Sequence, residues 1–196
     1  MTPPTATLVS VLPETTPLMR AVRFALLAFA GTAIIAISAK IQVPFWPVPM
    51  TLQTLAIVVI AMAFGARLGL ATLVLYLLEG AVGLPVFAGT PEKGIGIAYM
   101  VGPTGGYLVG FAVAAWLAGW LAERGWDRTF LRATAVNFFA TAVVFVFGVA
   151  WLIPMFGFEK SIAVGVTPFL LSSAFKIALG GAFMTAAWSL VRRLRG

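Results

Sequence analysis

The sequence predicts an all-α integral membrane protein with six transmembrane helices and both termini in the cytoplasm. Three observations carry this reading. Hydrophobic residues make up 61% of the 196 residues and charged residues only 10%, where a soluble domain carries about 25% charged residues. Mean hydropathy is +1.04. Six segments approach the roughly 20 apolar residues that a spanning helix needs, and basic residues divide unevenly between their two sides.

The elements follow in chain order. Residues 1–18 read as a flexible cytoplasmic lead before a single transmembrane domain over 19–196. Pro3, Pro4, Pro13 and Pro17 precede the first basic residue, Arg20, and that order is not a secretory signal. The spans fall at 20–39, 51–66, 68–84, 103–122, 131–153 and 167–191. The second and third would make an overlong helix if joined, so Gly65 divides them. With the N-terminus inside, Arg20, Arg23, Arg67, Arg124, Arg128, Arg132, Arg192, Arg193 and Arg195 lie on the inner side. Lys40, Lys93 and Lys160 lie on the outer side. Nine against three sets the orientation, because cytoplasmic loops collect Lys and Arg. The same rule accounts for the net charge of +7 without nucleic acid.

Absences narrow the chemistry. The chain has no Cys and no His, which excludes thiol nucleophiles, disulfides, Cys/His metal sites and a His general base. The six acids form no cluster within a span, and no G-x-x-x-x-G-K-[ST] occurs, so ATP-driven work requires a partner. No catalytic set, metal site or resident cofactor is expected. An intramembrane enzyme has almost no equipment here; a purely structural subunit is the other rival, and a ligand-binding assay separates them.

Lys176 is the leading candidate. It lies eight residues past Pro168, about 12 Å into the sixth span, where a Lys costs about 2.5–3.5 kcal/mol on insertion scales. It needs a partner, water or a ligand. Ser172, Ser173 and Gly180 share its face at spacings of three and four. Snorkelling, or an ion pair with Glu79 at a similar depth in span three, is the competing reading. Gln53, in the first turn of span two, can donate and accept, which suits a polar ligand; a helix-start contact to backbone competes. Gly105-Gly106-Tyr107 opens span four, where glycines admit a close backbone or ligand. The small residues Ala21, Ala25, Ala28, Thr32, Ala36 and Ala39 form one stripe on span one. Such a stripe packs internally or docks another helix. The loops over 40–50 and 84–103 are rich in Pro and Gly yet apolar, so they are expected to fold onto something.

Three runs resemble the signatures of the biotin transporter family BioY. They are Val43-Pro44-Phe45-Trp46-Pro47-Val48-Pro49-Met50-Thr51-Leu52-Gln53-Thr54, then Gly83-Leu84-Pro85-Val86-Phe87-Ala88-Gly89 with Gly102-Pro103-Thr104-Gly105-Gly106-Tyr107, and Pro168-Phe169-Leu170 with Lys176. They occur in the family's order and span residues 20–191. The resemblance implies the fold of a substrate-binding S component of an energy-coupling factor (ECF) transporter, in a bacterial cytoplasmic membrane. It implies capture of biotin and work with a transmembrane coupling protein and ATPase subunits. Under it, Lys176 meets the biotin carboxylate, while Gln53, Tyr107 and Ser173 serve the ureido group. Phe45, Trp46, Phe87, Tyr107 and Phe169 wall the apolar part, with Glu79 as a further contact. Ala21, Ala25 and Ala28 dock the coupling protein. One departure stands out: the family usually carries Asp three residues before the Lys, where this chain has Ser173. The alternative is an S component for another small carboxylate vitamin.

Overall fold

The computed structural model describes residues 7–11, 16–44 and 46–195. Helix α1 runs Pro17–Lys40, with Pro17 in its first turn and the Thr16 side chain accepting from the Met19 N–H at 3.4 Å. A short hairpin follows, β1 Gln42–Val43 and β2 Met50–Thr51, antiparallel with Gln42 opposite Thr51. Next come α2 Gln53–Phe64, α3 Ala66–Ala81, the five-residue α4 Gly96–Met100 and α5 Gly105–Ala122. Helix α6 is Phe130–Phe156 and α7 is Phe158–Gly165. A 3₁₀ turn at Thr167–Phe169 leads into α8, Leu170–Arg195.

Among the described residues, four helical stretches are long and apolar enough to cross a membrane: α1, α5, α6 and the run Phe158–Leu194 that ends in α8. Helices α2 and α3 are shorter, 12 and 16 residues, or about 18 and 24 Å. The break between them falls at Gly65, whose φ of +86° is a conformation that residues with a Cβ avoid. Glu123 secures the break from outside, since its Oε1 accepts from the Ala66 N–H at 2.8 Å. An acid at this point satisfies one orphan donor and faces the positive end of α3.

Helix α5 sits at the centre, against α2, α3 and α6. Its small residues make that possible. Ala114, Ala115, Ala118 and Ala122 are buried, and Gly110 and Gly119 face the backbones of Val144 and of Gly65–Ala66. The apolar loops do fold onto the bundle: Val48, Phe87, Ala88 and Tyr99 are all buried. They close the end of the bundle where α1, α3 and α6 finish and α2, α5 and α8 begin.

Candidate functional site

That closed end holds a cavity of about 580 Å³, with the open solvent at its mouth counted. The hairpin and the start of α2 supply Val48, Pro49, Thr51, Gln53 and Thr54. Ala88 and Tyr99 come from the loop and α4, and Thr104, Tyr107, Leu108 and Phe111 from the α5 region. Helix α6 adds Thr141, Val144 and Phe145, and the last segment adds Phe169, Ser173 and Lys176.

Lys176 is 7% exposed, and its Nζ donates to the Thr51 carbonyl at 3.1 Å. Among the described residues no carboxylate pairs with it. A buried ammonium that donates to one carbonyl has capacity for an anion, and a charge-assisted bond is the strongest it can make. Ser173 lies one turn earlier, buried, and its hydroxyl has no hydrogen-bond partner among the described residues. Gln53 is buried, and its Nε2 donates to Tyr76 Oη at 2.8 Å. The Tyr107 hydroxyl donates to the Gly165 carbonyl at 2.8 Å, tying α5 to the end of α7. Phe169 is buried against the Phe145 ring, centroids 6.3 Å apart. The structure thus brings Lys176, Ser173, Gln53, Tyr107 and Phe169 to one cavity.

Other expected residues stand elsewhere. Phe87 is buried behind the wall, stacked on Tyr99 at 4.9 Å and edge-on to Tyr76 at 5.4 Å. It supports the wall from the rear. Trp46 is 69% exposed, edge-on to Phe156 at 5.7 Å, and does not line the cavity. Phe45 lies outside the described residues. Glu79 does not reach Lys176: its Oε1 accepts from Thr32 Oγ1 at 3.0 Å, in the α1–α3 seam. Gly105 and Gly106 admit Trp151 and the Phe147 carbonyl of α6, so their smallness serves helix packing. Of the stripe on α1, Ala21 and Ala25 are exposed, whereas Ala28 is buried within the chain.

Comparison with known proteins decides the family. The BioY family profile matches residues 10–193. The chain belongs to the BioY family. It is 35% identical over 146 residues to a protein of Pyrococcus horikoshii described as a probable biotin transporter BioY, covering 74% of this chain and 84% of that one. It is 37% identical over 149 residues to the biotin transporter BioY of Thermotoga maritima, covering 76% and 85%. The fold matches a crystal structure described as the S-component for biotin from an ECF-type ABC transporter, with TM-score 0.71 and 24% identity, covering 93% of this chain and 95% of that one.

Sequence reasoning missed several wall residues of this BioY chain. Thr51 and Thr54 stand within two residues of Gln53, inside the first of the three runs singled out above, and that nearness was a usable signal. Tyr99 sits on a five-residue helix inside an irregular loop, and Thr141 is one of two threonines in a 27-residue apolar helix. Neither position carries a periodicity that separates it from packing.

Proposed function

We propose that this chain captures biotin from outside the cell, holds it in the cavity at the hairpin end, and serves as the S component of an ECF transporter. The observation that carries this reading is Lys176, a buried ammonium on the cavity wall with no carboxylate partner among the described residues. It suits the biotin carboxylate. Leu108, Phe111, Val144, Phe145 and Phe169 supply apolar walls for the thiophane ring and valeryl chain, whose burial contributes about 25 cal/mol per Å². Gln53 and Ser173 serve the ureido group. The names of the relatives in Thermotoga maritima and Pyrococcus horikoshii support the same substrate.

In this reading the chain lies in the bacterial cytoplasmic membrane with six spans and cytoplasmic termini, α2 and α3 being the two short ones. It is not an enzyme and uses no cofactor; partner subunits hydrolyse ATP and reorient the chain through a coupling protein docked on α1. Ser173, where the family usually has Asp, favours a second reading, a different small carboxylate vitamin. Binding of radiolabelled biotin to the purified chain tests both. Saturable binding displaced by unlabelled biotin supports the first reading. A folded chain that ignores biotin and binds another carboxylate vitamin supports the second.

A further inference from the structure

We infer that Tyr76, which does not line the cavity, is the positioning residue that turns the acceptor end of Gln53 toward a ligand N–H. This inference rests on the biotin reading above. Tyr76 is fully buried on α3, and its hydroxyl stands between two groups. The Val86 carbonyl lies 3.0 Å away and the Gln53 amide 2.8 Å away. A tyrosine hydroxyl has one proton, and a carbonyl can only accept. The proton therefore goes to Val86, and toward Gln53 the same oxygen is an acceptor. The Gln53 atom facing it must be the amide nitrogen. The side chain of Gln53 lines the cavity while Tyr76 stands behind it, so the nitrogen is drawn rearward and Oε1 is the end left for the ligand.

An amide carbonyl presented in this way accepts an N–H and repels a carboxylate. Biotin carries N–H donors only on its ureido ring. Ser173, also buried on this wall, offers only an uncharged hydroxyl, so the orientation of the Gln53 amide carries much of the ureido recognition. Val86 belongs to the loop that also contributes Ala88 to the wall, so the relay links that loop to the polar contact within.

The test compares biotin with two derivatives, each methylated on one ureido nitrogen, on wild type, Tyr76→Phe, Gln53→Leu and the double variant. Removing the hydroxyl frees the amide to turn. The preference of wild type for biotin over at least one methyl derivative should fall by about three- to tenfold in Tyr76→Phe. Gln53→Leu should lose the same preference, and the double variant should lose no more than Gln53→Leu alone. Wild type and Tyr76→Phe share the same cavity-lining residues, so the methyl group meets the same side chains in both. An unchanged preference in Tyr76→Phe, with affinity for all three ligands lowered equally, overturns the inference and leaves the biotin reading intact. Failure of folded wild type to bind biotin at all overturns both.

Discussion

The Lys176 ammonium donates to the Thr51 carbonyl, 3.1 Å away, across the seam between α8 and the hairpin. Thr51 ends β2, and its own Oγ1 accepts from the Gln53 N–H at 3.2 Å. One short stretch of backbone therefore orients a cation on one helix and starts the helix that carries the amide. The two polar ends of the proposed site are mechanically joined, and a ligand that draws Lys176 also loads the hairpin that covers the cavity.

Glu79 belongs to the α1–α3 seam. Replacing it with Gln keeps an acceptor for Thr32, so Glu79→Gln should leave biotin affinity within about twofold and cost about 1 kcal/mol or less in stability. Equilibrium binding beside thermal unfolding checks this. A tenfold loss of affinity would place Glu79 at the ligand after all.

The stripe on α1 divides in two. Ala21→Trp or Ala25→Trp, on the exposed part, should block assembly with the coupling protein and leave biotin binding unchanged. Ala28→Trp should destabilise the isolated chain, because overpacking a buried site costs about 1–3 kcal/mol or more. Co-purification and unfolding of the three variants separate the cases. Normal assembly of Ala21→Trp and Ala25→Trp would move the docking face elsewhere.

Gly119 of α5 lies against the Gly65–Ala66 backbone. A methyl group there meets main chain, which cannot rotate away. Gly119→Ala should lower stability by at least the roughly 1–3 kcal/mol typical of overpacking, although Ala favours a helix more than Gly does. A melting temperature equal to wild type or above it would mean that the α2–α3 turn yields.

Asp127, between α5 and α6, has no exposed surface. Its Oδ2 accepts from Trp188 Nε1 at 2.6 Å, and the Arg128 guanidinium lies 3.8 Å over the Trp188 ring. Burial pushes its carboxyl above the ordinary range, against the opposing pull of Trp188 and Arg128. The folded chain then holds this proton more tightly than the unfolded chain. Its contribution to stability grows as pH falls through the raised value, and is lost as pH rises above it. Asp127→Asn removes the titration, so the stability of wild type relative to the variant should increase on going from about pH 7 to about pH 4. Parallel melting curves would contradict this.

Much of the architecture was legible in residues whose alternatives are costly. The break at Gly65 was visible because one apolar run was too long for one span, and the structure explains its position through a positive φ and the Glu123 cap. The packing of the loops over 40–50 and 84–103 was visible because Val48, Phe87 and Ala88 are apolar where a solvated loop would be polar. Lys176 stood out because an ammonium in an apolar helix needs a partner. Other features depended on three-dimensional proximity. Glu79 and Lys176 lie at similar depths along their helices, yet depth carries no information about the angle around the bundle, and Glu79 faces Thr32. Trp46 and Phe87 sit within signature runs, but a run does not show which side of a wall a ring occupies. Tyr76 lies within an apolar helical run, and only its two hydrogen bonds set it apart.

The central claim is that Lys176 receives a ligand carboxylate, and the affinities of biotin and biotin amide for wild type and Lys176→Met test it most directly. Removing a charge-assisted bond of about 1.5–3 kcal/mol should weaken biotin roughly 10- to 150-fold. Biotin amide lacks the negative charge, so it should bind wild type poorly and lose little more in the variant. Equal losses for the acid and the amide, together with a fall in the melting temperature of Lys176→Met, would show that Lys176 holds the hairpin and does not receive the ligand.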